Sequence, residues 1–444
     1  MGRCAVSTQK QKRPFALRAL AAFAGTLAIL FVLLLAAYAL PGERVRQHVY
    51  DSARTIQNEG LYPEYLGFKL FQMDNYTDTL MLFEAASADE LPPLQAMMTN
   101  TAYNVDNFET LADDLAWYIE KDWSTGAQRT DAPALEPFSY ARYWHGYLIW
   151  LRPLLLLMPY TGVRIVQYIV LFALLAVVLV QLRRRCGLRA AVWFAVSQLA
   201  VSVWFVPHQV QYFTCFMIAY AGCAWVLAKP RRSDVLCLGL LVLGTATAFC
   251  DLLVTPIITL GLPLTCWLLE PQQRLRGSVP QCALAVGGSL CWGTGYALCW
   301  AGKWALAGAV TNNNVLADAL HQAEVRTTAD TWHGMELTWR NIFIFLYDTL
   351  NSHHLFWPAL AVLAVLIALF ILSIRSKTAL VRALPLALTT CMTPAWFVLL
   401  RTHSIQHGWF TWRALGLTVF AGLAFLYYAC DLRAARRRLQ KGSI

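Results

Sequence analysis

The residues best suited to chemistry stand in five places along the chain. The first is Met73-Asp74-Asn75-Tyr76-Thr77-Asp78-Thr79-Leu80-Met81-Leu82-Phe83-Glu84. Asp74 and Asp78 lie four residues apart, so on a helix they share a face. Burial beside apolar residues raises a carboxylate's pKa and makes it a better base. The alternative for Asp74 is an N-cap, opening a helix over Tyr76–Ala86. Asn75-Tyr76-Thr77 also matches a glycosylation sequon. The second place, Arg142-Tyr143-Trp144-His145-Gly146-Tyr147 with Arg152-Pro153, sets two guanidinium groups and an imidazole among aromatics. Arginine's planar donor fork suits phosphate. The competing reading is an aromatic belt whose arginines reach lipid head groups.

Asp251 is the third, a lone acid in Phe249-Cys250-Asp251-Leu252-Leu253-Val254-Thr255-Pro256. An ionisable group in apolar surroundings is costly and points to function, or else to a turn cap. The fourth is Lys303, flanked by Trp300 and Trp304, which either contacts phosphate or reaches toward the interface. The fifth is the segment Arg401–Arg413, which contains His403, His407 and Arg413. Histidines at i and i+4 can bind a metal. No Glu lies beside them, so a phosphate or sugar site fits better than a zinc hydrolase. His208 and the His353-His354 pair read as interfacial.

The elements that must hold these residues are membrane helices. The chain of 444 residues is 58% hydrophobic and 14% charged, against about 25% charged for a soluble domain. Apolar runs near the length needed to cross a bilayer recur throughout. Each backbone amide in lipid must be satisfied within its own helix. The expected fold is therefore an all-α polytopic membrane protein. Its ten or so helices fall at about 17–40, 163–182, 188–207, 210–228, 235–250, 252–269, 279–301, 355–374, 383–400 and 410–430. The first run is longer than a signal peptide's apolar core and reads as a retained helix.

Charge sets the orientation. The pieces assigned to the cytosol hold more than half of the 36 Lys and Arg but only three of the 26 acids, namely Asp234, Glu270 and Asp431. That bias places both termini in the cytosol, in the cytoplasmic (inner) membrane. It also accounts for the net charge of +10 without nucleic acid. The basic clusters Arg183–Arg185 and Arg436–Arg438 meet anionic lipid heads. One transmembrane domain, 1–444, then carries two outer embellishments. Residues 41–160 form a large first loop with an amphipathic helix at Glu43–Asn58 and an interfacial or re-entrant stretch at Tyr147–Met158. Residues 311–354 form a second loop with an amphipathic run at Leu337–Leu350. The large loops lack the cysteines for a disulfide framework, and no Cys-x-x-Cys points to structural zinc. Asp74, Asp78, Arg142, His145, Asp251, Lys303, His403, His407 and Arg413 all fall on the outer side.

This layout resembles the polytopic GT-C glycosyltransferase superfamily. The shared features are a cytosolic N-terminus, many membrane helices, an acidic first outer loop and basic residues in later loops. The resemblance implies a polyprenyl-phosphate sugar as donor and a cell-envelope glycan or protein as acceptor. It also implies an outer-face Asp as general base and Arg, Lys and His at the phosphate. The adjacent acidic pair of many members is missing from Met73–Glu84; such pairs stand at Asp89-Glu90 and Asp113-Asp114, which leaves the base open between them. No metal is required by the sequence, though a divalent ion remains open as cofactor. The alternative is a transporter or flippase of a lipid-linked or anionic solute, which would need ionisable residues along a path through the midplane.

Overall fold

A computed structural model describes residues 14–88, 90–103, 137–328, 331–332 and 335–431. Asp89, the Asp113-Asp114 pair and the Arg436–Arg438 cluster lie outside the described residues. Helices dominate, with two short antiparallel hairpins, Thr101–Tyr103 with Pro137–Ser139 and Thr331–Trp332 with Met335–Glu336. Among the described residues, eight stretches are long and apolar enough to cross a membrane. They are Phe15–Tyr38, Tyr160–Arg185, Val210–Ala228, Ser233–Cys250, Ser278–Thr311, Phe356–Ser373, Lys377–Leu399 and Gly408–Ala429. Two shorter apolar helices, Leu188–Ala200 and Ile257–Leu269, stand at the remaining expected positions. The chain is an all-α, multi-pass membrane protein.

Burial divides these helices. Few residues of Phe15–Tyr38 or Phe356–Ser373 are fully buried, as in peripheral helices with a lipid-facing side. Ile257–Leu269 is buried at every residue and forms the centre of the bundle. At about 1.5 Å per residue it is only about 20 Å long, short of the hydrocarbon thickness. The expected start of this helix at 252 is corrected: residues 251–256 are non-helical. Irregular backbone survives in a membrane bundle where protein buries it or where it lines a cavity. This segment does both. The Asp251 carboxylate accepts from the Val254 N–H at 3.0 Å, and the Leu253 carbonyl accepts from His403 Nε2 at 2.9 Å.

Ser233–Cys250 and Ser278–Thr311 form the most extensive helix pair. Glycines allow their close approach. A Cβ on Gly244 would sit 2.1 Å from the Trp292 carbonyl oxygen, and one on Gly295 would sit 2.3 Å from that of Leu241. The second of these helices runs on to Thr311, well past the expected end at 301. It carries a ladder of aromatics at i, i+4 spacing: Trp292–Tyr296 at 4.8 Å, Tyr296–Trp300 at 4.9 Å and Trp300–Trp304 at 6.0 Å.

Charges gather at opposite ends. At one end Arg18 pairs with Asp234 at 3.0 Å and Arg185 with Glu270 at 2.8 Å. At the other stands a cap built from the two long loops. Its amphipathic helix Glu43–Glu59 buries Val45, Val49, Ala53 and Ile56, a one-sided apolar stripe. That stripe packs on the nearly fully buried helix Asn75–Ser87. The Tyr147–Met158 stretch contains the short helix Leu148–Leu155. The second loop departs from expectation. Its first third is an unforeseen helix, Val315–Thr328, and the run Leu337–Leu350 breaks into a 3-10 turn at Trp339–Asn341 and a helix from Ile344.

Candidate functional site

A cavity of about 290 Å³ lies within this cap. Three of its walls carry chemistry. Asp74 and Glu84 come from the start and the third turn of the Asn75–Ser87 helix, Gln211 from the first turn of Val210–Ala228, and His403 and His407 from the short helix that precedes the last membrane helix. Tyr62, Trp409 and Phe410 add aromatic faces, and Arg326 closes one side.

The two carboxylates differ in how fully they are engaged. Asp74 is the N-cap of its helix: Oδ1 accepts from the Thr77 N–H at 2.9 Å, and Oδ2 accepts from Thr77 Oγ1 and Gln211 Nε2 at 2.9 and 3.0 Å. Capping and cavity lining therefore coincide in one residue. Burial pushes its pKa up, partly offset by those donors. Glu84 is saturated. Oε1 takes Asn100 Nδ2 at 3.0 Å and Tyr38 OH at 3.3 Å; Oε2 takes His145 Nδ1 at 2.6 Å and the Tyr147 hydroxyl. His145 Nε2 faces the Tyr140 carbonyl at 3.0 Å, so both ring nitrogens meet acceptor oxygens. His145 sits at φ +55°, and its neighbour Gly146 lets the backbone press against Phe249. A Cβ at Gly146 would lie 2.4 Å from Phe249 Cδ1 and 2.5 Å from the Phe249 carbonyl oxygen, which accepts the Gly146 N–H at 2.9 Å.

The histidine pair is less satisfied. Their rings are 4.7 Å apart, and His407 stacks on Phe410 at 5.2 Å. His403 Nε2 donates to Leu253, which leaves its Nδ1 as an acceptor. Neither Nδ1 has a partner. Burial holds both pKa values down, His407 at about 4. No three metal-ligating side chains converge among the described residues.

A second cavity of about 130 Å³ adjoins the first. The aromatic ladder (Tyr296, Trp300, Trp304), Trp396, Leu400 and the Val315–Thr328 helix form its walls, and Arg142 and Arg326 stand at its polar edge. Arg326 lines both cavities and donates to the Tyr143 hydroxyl. Arg142 lies 3.3 Å from Asp318 and 4.5 Å from the Tyr140 ring centroid.

Of the residues singled out from sequence, Asp74, His403 and His407 share the polar cavity, Arg142 stands in the adjoining cleft, and His145 backs Glu84. The others brace the cap rather than line a cavity. Asp78 accepts from the Val210 and Gln211 N–H groups, at 3.1 and 3.2 Å, and from the Tyr160 hydroxyl, joining two helices. Arg152 donates to the carbonyls of Ala37, Tyr38 and Leu40 at 2.9–3.1 Å, capping the first helix at its negative dipole end. Lys303 Nζ binds the Met97 carbonyl at 2.6 Å and Asn100 Oδ1 at 2.5 Å. Arg413 holds the carbonyls of Trp409 and Leu70 and lies 4.6 Å over the Tyr212 ring. Asp251 lies behind Leu252 and Leu253, which line the two cavities.

Sequence reasoning missed Glu84 and Arg326. Glu84 is a lone acid inside the apolar run Met81–Ala86. Arg326 completes the spacing Ala319, Gln322, Ala323, Arg326, Thr327, the one-face pattern of a helix laid over a cleft. The chain matches no protein-family model, no curated protein and no solved structure.

Proposed function

We propose that the chain is a glycosyltransferase that moves a sugar from a polyprenyl-phosphate donor to an envelope glycan or protein acceptor on the extracytoplasmic face of the cytoplasmic membrane. One observation carries this reading: a polar, acid-bearing cavity joins an aromatic cleft, and Arg326 lies at their junction. A lipid-linked phosphosugar has the same three parts in the same order. The sugar occupies the polar cavity, the phosphate lies at Arg326 with Arg142 nearby, and the first isoprene units lie along Tyr296, Trp300 and Trp304. With both termini in the cytosol, as the charge bias implies, this cap lies outside.

The acceptor hydroxyl attacks the anomeric carbon and gives up its proton; the bond to the phosphate oxygen breaks, and the phosphate leaves with the electron pair. Asp74 fits the base role better than Glu84. Its Oδ1 has one protein donor, so a lone pair is left for the incoming proton, and burial raises its affinity for that proton. Glu84, with four donors, holds Tyr38, Asn100, His145 and Tyr147 in place behind the sugar. Arg326 supplies positive charge to the departing phosphate.

The test is sugar transfer by purified protein from polyprenyl-phosphate donors, comparing wild type with Asp74→Asn and Arg326→Ala. A loss on the order of 10²-fold or more in turnover is expected for Asp74→Asn. The acid limb of the wild-type pH profile should lie above the ordinary carboxylate range. Undiminished transfer by Asp74→Asn would remove Asp74 from the reaction. Solute flux in proteoliposomes without product would replace the enzyme by a transporter.

A further inference from the structure

The histidine pair has no part in the chemistry described so far, yet it leaves two buried ring nitrogens without partners. A buried acceptor without a donor costs about 1–3 kcal/mol, and native structures rarely tolerate it without a reason. At His403 the Leu253 carbonyl fixes the hydrogen on Nε2, so Nδ1 can only accept. His407 stands one helical turn later on the same wall, held by stacking on Phe410. The remaining polar lining of this cavity includes the carboxylates Asp74 and Glu84. Two carboxylates and two unpaired ring nitrogens thus face this cavity together with the unpaired Trp409 indole N–H, and the cationic group Arg326, shared with the cleft, stands at its side. Tyr62 and Trp409, 6.0 Å apart, add an aromatic surface suited to the C–H face of a pyranose.

We infer that His403 and His407 form a hydroxyl-binding subsite that selects a neutral, unacidified sugar, His403 Nδ1 accepting from one hydroxyl of the donor and His407 Nδ1 exchanging a hydrogen bond with a second. A uronic acid would bring a carboxylate against acceptors and like charges, which interface electrostatics penalises strongly. A hydroxyl can both donate to a ring nitrogen and accept from the unpaired Trp409 indole N–H on the same wall. This inference rests on the donor-binding reading above.

The experiment measures binding to the full-length protein in nanodiscs of three probes: a short prenyl phosphate, its glucosyl ester and its glucuronosyl ester. Wild type is compared with His403→Leu, His407→Leu and His403→Asn. The glucosyl ester is expected to bind at least tenfold tighter than bare prenyl phosphate, and the glucuronosyl ester no tighter than it. Each Leu variant should lose about tenfold of that sugar increment while holding bare prenyl phosphate as wild type does. His403→Asn, which keeps an acceptor near the Nδ1 position, should retain most of it. Equal gains from both sugars, or increments untouched in both Leu variants, would overturn the inference. If bare prenyl phosphate does not bind at all, the donor reading fails instead. The wall is then tested alone with methyl glucoside against methyl glucuronide, read by tryptophan fluorescence. A glucoside preference that the Leu variants abolish upholds the subsite, and no preference overturns it.

Discussion

Lys303 separates two accounts of the same residue, a phosphate ligand and a brace. Its three ammonium donors are all committed, to the Met97 carbonyl at 2.6 Å, to Asn100 Oδ1 at 2.5 Å and, more weakly, to the Met98 carbonyl at 3.4 Å. Asn100 in turn donates to Glu84 at 3.0 Å and to Tyr38 OH at 2.7 Å. Lys303→Met keeps the length and apolar stem of the side chain but removes the charge. Two short charge-assisted hydrogen bonds contribute about 1.5–3 kcal/mol each. Their loss leaves carbonyls and Asn100 underpaired in a buried setting, so a total of roughly 3–5 kcal/mol is expected. In a chain of this size that corresponds to a fall of roughly 3–5 °C in the thermal midpoint. The assay is thermal unfolding in detergent, paired with prenyl phosphate binding at a temperature where the variant is folded. The midpoint should fall while the affinity stays within about twofold of wild type. An unchanged midpoint with a tenfold loss of affinity would refute the brace and return Lys303 to the phosphate.

Gly146→Ala forces a methyl into the Phe249 side chain and carbonyl and should cost about 1–3 kcal/mol, read as a lower thermal midpoint. Asp78→Asn replaces one of two accepting oxygens with a donor facing backbone N–H groups; a loss of about 2–3 kcal/mol in stability is expected, with prenyl phosphate affinity of the folded variant unchanged. Burial pushes the Asp251 carboxyl up to about 7. Between about pH 4 and 7 the folded chain keeps a proton that the unfolded chain gives up, so this contribution to stability is present at low pH and lost as pH rises through 7. His208, His403 and His407, held below their usual range by burial, act with the opposite sign over this window, so the check is the difference between wild type and Asp251→Asn: the wild-type midpoint should fall relative to the variant's as pH rises toward about 7.

The helices were legible because lipid allows few solutions: long apolar runs bounded by basic loops have little choice of structure. The break at 251–256 was not. Thr255-Pro256 marks a helix boundary, but the extent of the break depends on a local turn, the Val254 N–H on Asp251, and on one tertiary contact, His403 on the Leu253 carbonyl. The site was half legible for a related reason. Asp74 and the histidine pair announced themselves as polar groups in apolar surroundings. Arg152, Lys303 and Arg413 carry the same signal, yet each holds backbone carbonyls. Residue type shows that a buried charge needs partners but not whether those partners are a ligand or the chain itself. Arg326 gave the opposite error: it sits in a polar-looking loop helix, and its importance comes only from lying over two cavities at once.

The most direct measurement is the position of a bound prenyl phosphate in an electron cryomicroscopy map of the full-length protein. The phosphate is expected within hydrogen-bonding reach of Arg326, with the isoprenoid running along Tyr296, Trp300 and Trp304. Density for the phosphate at the opposite, Arg185-bearing end of the bundle, or a tail that leaves the aromatic ladder empty, would contradict it.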